Sequence, residues 1–188
     1  MAASGQAGGQ GRGEGGAGAG VQAQAAGAGA AGVPVHAGGC QCGAVRFRVT
    51  GTLEDASICH CRMCQKAFGG YYAPLVGTRG AVLEWTRGAP AHYQSSNLVR
   101  RGFCAACGTP LSYEAPDGVA LAAGAFDDPA TLPPRIQYGI EGRLPFVGAL
   151  ATLPARRTEE DEAAVEFLSR IVSFQHPDHD TADWPPGR

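Results

Sequence analysis

The residues best suited to chemistry in this chain are its cysteines, and they are clustered. Cys40 and Cys42 have one residue between them, Cys59, Cys61 and Cys64 form a C-x-C-x-x-C run, and Cys104 and Cys107 form a C-x-x-C knuckle. All seven cysteines fall in these three groups. Free core cysteines have no reason to sit two or three residues apart, whereas a tight turn can aim two sulfurs at one point, as a tetrahedral ion requires. An odd number does not suit a disulfide scaffold, which needs pairs, and the N-terminal residues lack the basic-then-apolar order of an export signal. Redox chemistry at a C-x-x-C pair uses only two cysteines and belongs in a βαβ setting that the pattern does not show. The expectation is two zinc ions per chain.

Seven thiolates divide most simply as four plus three. Four close a tetrahedral site, and three leave a position open, which separates a functional zinc from a structural one. The run Cys59, Cys61, Cys64 is local enough to hold an ion by itself. Sixty-one residues lie between Cys42 and Cys104, so Cys40, Cys42, Cys104 and Cys107 together would clamp two distant parts of the domain as the structural set. A closed second site would need a further ligand such as His60, His92 or Asp55, although His60, lying between two of the cysteines, should point the other way. A three-sulfur zinc site is a weaker Lewis acid than a three-histidine one. It suits an incoming thiol, which loses its proton on zinc, better than it suits water.

The elements that must position these groups are short. Residues 1–32 hold 12 Gly and 11 Ala and too little apolar surface to offset the entropy of ordering, so 1–33 is expected to be a disordered leader. What remains fits one domain with a modest core. Val45, Phe47 and Val49 alternate with Arg46 and Arg48, and similar short runs at Tyr71–Val76, 81–85, Leu98–Phe103, 111–114, 119–126 and 135–141 are separated by Gly and Pro turns. The expected fold is mainly β, a single domain at 34–155 built around two zinc sites. Pro74 places its strand at an edge or bulge. Thr158 and Asp161 make a capping-box-like start to an amphipathic helix over 156–175, with Ala164, Leu168, Ile171 and Val172 on one face. Residues 176–188 are expected to be a flexible tail, with His176-Pro177-Asp178-His179-Asp180 solvated.

Charge and hydropathy exclude other classes. A net charge of −2 does not suit a generally basic nucleic-acid or membrane-surface protein, and no run approaches the ~18 apolar residues of a spanning helix. Free thiolate ligands without an export signal point to the cytoplasm, with the nucleus as the alternative location.

The motifs Gly38-Gly39-Cys40-Gln41-Cys42-Gly43-Ala44-Val45-Arg46-Phe47, Cys59-His60-Cys61-Arg62-Met63-Cys64-Gln65-Lys66 and Arg101-Gly102-Phe103-Cys104-Ala105-Ala106-Cys107-Gly108 resemble those of the glutathione-dependent formaldehyde-activating enzyme family, to which centromere protein V also belongs. The resemblance runs from Val35 to Phe146. It implies a fold of several coiled, antiparallel β-sheets and a carbon–sulfur lyase activity that joins glutathione and formaldehyde into S-hydroxymethylglutathione. It also implies the same division of the cysteines, with Cys59, Cys61 and Cys64 at the working zinc. The chain departs from the family pattern in three places. Arg135-Ile136 stands for a frequent His-Ile, Pro145-Phe146 stands for Pro-Trp, and Arg62-Met63 replaces small polar residues.

Addition of a thiol to an aldehyde creates an alkoxide that needs a donor, and His60, Arg62 and Lys66, with Tyr71, are the candidates near the metal in sequence. Arg46 and Arg101 could meet substrate carboxylates, but strand arginines usually face water. The expected partners are glutathione or another small thiol and a small aldehyde, with no membrane and no nucleic acid. The alternative is a non-catalytic, zinc-stabilised binding module that recruits a protein or chromatin partner. Against chromatin, the leader carries one Arg and one Glu and so offers no basic arm.

Overall fold

Short alternating runs cut by Gly and Pro can bury apolar surface only by pairing, and they do so in two β-sheets. The computed structural model describes residues 32–160 and 162–184, with backbone alone for 162–164. The leader therefore lies outside the described residues, apart from 32 and 33, as do 185–188 at the other end.

The smaller sheet runs β1 (Val35–Gly39), β2 (Arg46–Thr50) and β5 (Val82–Arg87), with β2 in the middle. The larger has seven strands, in the order β10 (Ile136–Tyr138), β3 (Ala56–Cys59), β4 (Ala73–Gly77), β9 (Gly118–Ala122), β8 (Pro110–Ala115), β7 (Arg100–Phe103) and β6 (Ala91–Gln94). Every pairing is antiparallel except that of β10 with β3, which is parallel. The fold is mainly β, as its alternation predicts.

The period-2 pattern of β2 sends Phe47 and Val49 into the core, where neither is exposed. Phe47 meets Phe126 and Trp85 edge-on, with centroids 5.1 and 5.9 Å away. Burial of a side chain of that size stabilises by roughly 2–3 kcal/mol. Val76, Leu111 and Leu121 of the larger sheet belong to the same core, and so do Cys40 and Cys104. A second, smaller core gathers Cys64, Ala73 and Leu75. Each cysteine group thus has its own apolar bed.

Pro74 stands in an interior strand, not at an edge. It is tolerated because β4 pairs with β9 only from Leu75 to Gly77, so the missing N–H faces no ladder on that side.

Four features depart from the sequence pattern. Helix α1 (Arg62–Phe68) begins inside the three-cysteine run, with Cys61 extended at its start and Gly69 left-handed at its end. Two turns carry no apolar stripe long enough to reveal a helix. Helix α2 covers Glu162–Ser169 only, so Ile171 and Val172 lie beyond its end and are exposed. Val165 and Phe167 are exposed as well. With those described side chains exposed, local propensity sustains only a short helix.

The third departure is Arg46, which is 3% exposed and donates to both oxygens of Asp127 at 2.7 and 2.6 Å. The fourth is the segment around His176–Asp180, which is solvated only in part: Asp178, His179 and Asp180 are exposed, but His176 is not. His176 is buried, its N–H donates to the Gln41 carbonyl at 2.7 Å, and Asp180 accepts from Arg46 at 2.8 Å. Trp184 Nε1 donates to the Cys42 carbonyl, and Arg87 donates to Thr181. Strand arginines that pack inward need acceptors, and the C-terminal segment supplies them. Gly43 makes the approach possible: its φ is +74°, and a Cβ there would collide with the His176 and Trp184 rings.

Candidate metal centres and pocket

Two turns from opposite ends of the domain build the four-cysteine cluster. After β1, the Gly43 N–H closes onto the Cys40 carbonyl at 3.0 Å, and the Val45 N–H donates to Cys40 Sγ at 3.3 Å. After β7, the Gly108 N–H closes onto the Cys104 carbonyl at 2.8 Å. The Thr109 hydroxyl stitches the turns together, accepting from the Gln41 N–H and touching Cys107 Sγ, both at 3.1 Å.

The four sulfurs lie within 4.8 Å of one another, with Cys40 to Cys42 at 3.6 Å and Cys42 to Cys104 at 3.8 Å. A tetrahedron with metal–sulfur bonds of about 2.3 Å has edges of about 3.8 Å. The donor set therefore fits a zinc-sized ion, and the cysteines are free thiols, not disulfides. Burial pushes the Cys40 thiol up to about 12, the hydrogen bond from the Val45 backbone acting against it. At Cys107 burial also raises the thiol, but hydrogen bonds from Thr109, side chain and backbone, outweigh it and bring it down to about 6.

The second cluster is local. Cys59 ends β3, Cys61 precedes α1, and Cys64 lies in its first turn. Their sulfurs are likewise within 4.8 Å of one another, and no fourth Cys, His, Asp or Glu among the described residues joins them. His60 is fully buried, with Nε2 on Gln137 Oε1 at 2.8 Å and its ring edge-on to Tyr72. His92 pairs with Glu114 at 2.9 Å. The run is fastened from behind. Gln65 Nε2 donates to the carbonyls of His60 and Gly142 at 2.8 and 2.9 Å, and the His60 N–H donates to the Tyr138 carbonyl at 2.9 Å. Gly139, at φ +61°, rests against Cys61 where a side chain would press on the backbone.

A pocket of about 510 Å³ opens over these three cysteines, walled also by Arg101, Tyr113 and Tyr138. That size suits a small-molecule site, for which ~300–1,000 Å³ is usual. Burial raises the Cys64 thiol to about 12, the Arg101 hydrogen bond opposing and the neighbouring cysteines adding to the rise. Burial also raises Cys61, but hydrogen bonds from Cys64 and Cys59 and the charge of Arg101 leave it below its ordinary value. Tyr113 is raised by burial and by Cys64, so its phenol keeps its proton at neutral pH.

None of the three expected donors stands on the pocket wall among the described side chains. His60 is occupied behind the run, Arg62 is exposed and donates to Gln65 Oε1 at 3.2 Å, and Lys66 is exposed. Tyr71 is exposed and packs edge-on against Phe146. On the wall, Arg101 hydrogen-bonds to Cys64 Sγ, and Tyr113 lies under its guanidinium. Arg101 was expected to face water, yet it is 6% exposed. Two arginines stand side by side, and strand alternation requires one of them to point inward. Nothing local says which. Arg100 takes the outer face with Glu114, and Arg101 takes the inner.

No described helix is long and apolar enough to cross a membrane. A family model described as glutathione-dependent formaldehyde-activating enzyme matches residues 35–140. Among solved structures, a crystal structure of a Rhodobacter sphaeroides protein is similar at 24% identity and a TM-score of 0.42, over 54% of this chain and 98% of that one.

Proposed function

Because the chain belongs to the glutathione-dependent formaldehyde-activating enzyme family, we propose that it adds a thiol, glutathione or a relative, to a small aldehyde such as formaldehyde. The observation that carries this reading is a pocket opening directly over three cysteine sulfurs that no fourth described side chain closes. In this reading Cys59, Cys61 and Cys64 hold the working zinc, and Cys40, Cys42, Cys104 and Cys107 hold a structural one. A zinc ion at the three-cysteine cluster supplies Lewis acidity that lets a thiol give up its proton at neutral pH.

The chain's own groups do the rest. Leu75, Val119 and Tyr138 give the pocket an apolar wall beside the reacting atoms. The thiol sulfur bonds to the carbonyl carbon, and the C=O π pair becomes an alkoxide lone pair. Tyr113, held protonated, donates to that oxygen, and its phenolate recovers the proton the thiol released. R–S–H has then added across C=O with no change of redox state. Tyr113 takes this role, not His60, Arg62 or Lys66, because it stands on the wall and they do not.

A non-catalytic binding module would need no such pocket at its second cluster. Reduced thiol ligands fit a reducing compartment such as the cytoplasm. The test is to count both zinc ions and then follow adduct formation from glutathione and formaldehyde. A rate above the spontaneous one is expected, and no increase with both ions bound overturns the proposal.

A further inference from the structure

Arg101 lies on β7, a strand that belongs to neither the cysteine run nor α1, and is nevertheless bound to a sulfur of the run. Its Nη2 donates to Cys64 Sγ at 3.4 Å, and its Nε donates to Ser95 Oγ at 3.1 Å. The guanidinium stands 5.0 Å over the Tyr113 ring, and Nη1 is buried with no partner. An arginine buried for packing alone would have its donors satisfied by carbonyls or carboxylates, as Arg46 does with Asp127 and Asp180. This one leaves donors unmet and brings its charge to sulfur.

The other cluster offers the control. Among the described residues no arginine or lysine hydrogen-bonds to Cys40, Cys42, Cys104 or Cys107 (their polar neighbours are backbone amides and Thr109). Three thiolates around a dication leave one negative charge, which a guanidinium offsets. A cation bonded to one thiolate also draws electron density from it, and groups that bond metal ligands from behind set their orientation and donor strength.

We infer that Arg101 is a positioning residue for the three-cysteine metal centre, holding Cys64 Sγ in place and offsetting the centre's net negative charge, with Ser95 fixing the guanidinium. This rests on the reading that Cys59, Cys61 and Cys64 hold an ion, and not on the reaction. The probe is cobalt(II), whose sulfur-to-metal charge-transfer and d–d bands report donor strength and geometry at each cluster. A Cys61→Ser variant identifies which of two bound equivalents belongs to the three-cysteine centre.

In Arg101→Met that equivalent is expected to bind about 10–100-fold more weakly with shifted charge-transfer bands, while the other keeps its affinity and spectrum. Arg101→Lys, which keeps the charge but loses the fork, should recover part of the affinity. Ser95→Ala should move the same equivalent in the same direction by a smaller factor, and it does so without removing a buried charge. Unchanged affinities and bands in Arg101→Met and Ser95→Ala overturn the inference. Equal weakening of both equivalents also overturns it, since Arg101 would then act only on the fold. If the wild-type chain binds a single equivalent, the three-cysteine reading fails and the inference fails with it.

Discussion

The two cysteine clusters are made of the same ligand type and differ in almost everything around it. One joins turns that are far apart in sequence, sits in the larger core, and is overlaid by the C-terminal segment through Gln41, Cys42 and Gly43. The other is a single run at a strand-to-helix junction, sits in the smaller core, and opens to a pocket beside a buried arginine. The contrast separates two uses of thiolates. A long-range, four-sulfur set contributes to holding a fold together. A local, three-sulfur set contributes little to connecting the fold and leaves room for chemistry.

The sharpest way to break that contrast is to remove one sulfur from each side. Cys104→Ser should abolish cooperative folding at 37 °C, because a structural zinc, as proposed for this cluster, would contribute about 10–16 kcal/mol, comparable to the whole stability of a domain. Cys61→Ser should lose one equivalent of metal and all adduct formation while keeping its thermal transition within a few degrees. Metal counting and calorimetry on both variants decide it. If Cys61→Ser unfolds as Cys104→Ser does, the division of labour is wrong.

A smaller effect is expected where the C-terminal segment meets the first cluster. Asp127→Ala strips the bidentate partner from buried Arg46 and should cost about 3 kcal/mol, at the low end for a broken buried pair because Asp180 remains. Urea unfolding measures it. Gly43→Ala should cost about 1–2 kcal/mol, from the positive φ together with the collision with His176 and Trp184. In a Trp85→Phe background the remaining tryptophan fluorescence would report displacement of Trp184. The same variant should leave the activity of the pocket side unchanged.

The smallest effect is pH-dependent. His176 is lowered by burial and by the charges of Arg46 and Arg87, the Pro177 carbonyl and Asp127 acting the other way. Asp180 is lowered by its hydrogen bond from Arg46. A group lowered in the folded state favours folding fully above its unfolded value and loses that contribution as pH falls through the folded one. The segment should therefore loosen in two stages, first as pH drops below about 6.5 and again below about 4. The Trp184 signal titrated from pH 8 to 3 would show both. A flat response would separate the segment from the first cluster.

Much of this was legible in the chain. Cysteine spacing grouped the ligands, alternation located β2, and the Gly and Pro turns separated the short runs that form β8 and β9. The residues that were misplaced are those whose partners lie far away. Arg46 and Arg101 look like solvent-facing strand arginines until Asp127, Asp180 and Cys64 are brought beside them by other elements. His176 and Trp184 look like frayed polar residues until Gly43 leaves room for their rings. Helix α1 was hidden because two turns are too short to show a period.

The sequence alone therefore determined which atoms can bind metal, how they divide, and that the domain is mainly β, since spacing and alternation are local properties of a chain. Only the tertiary structure decided which arginine faces sulfur, which tyrosines stand on the pocket wall, and that the C-terminal segment lies over the first cluster. Those outcomes depend on burying charge and ring surface against partners 37 to 142 residues away, and no local pattern encodes such an encounter.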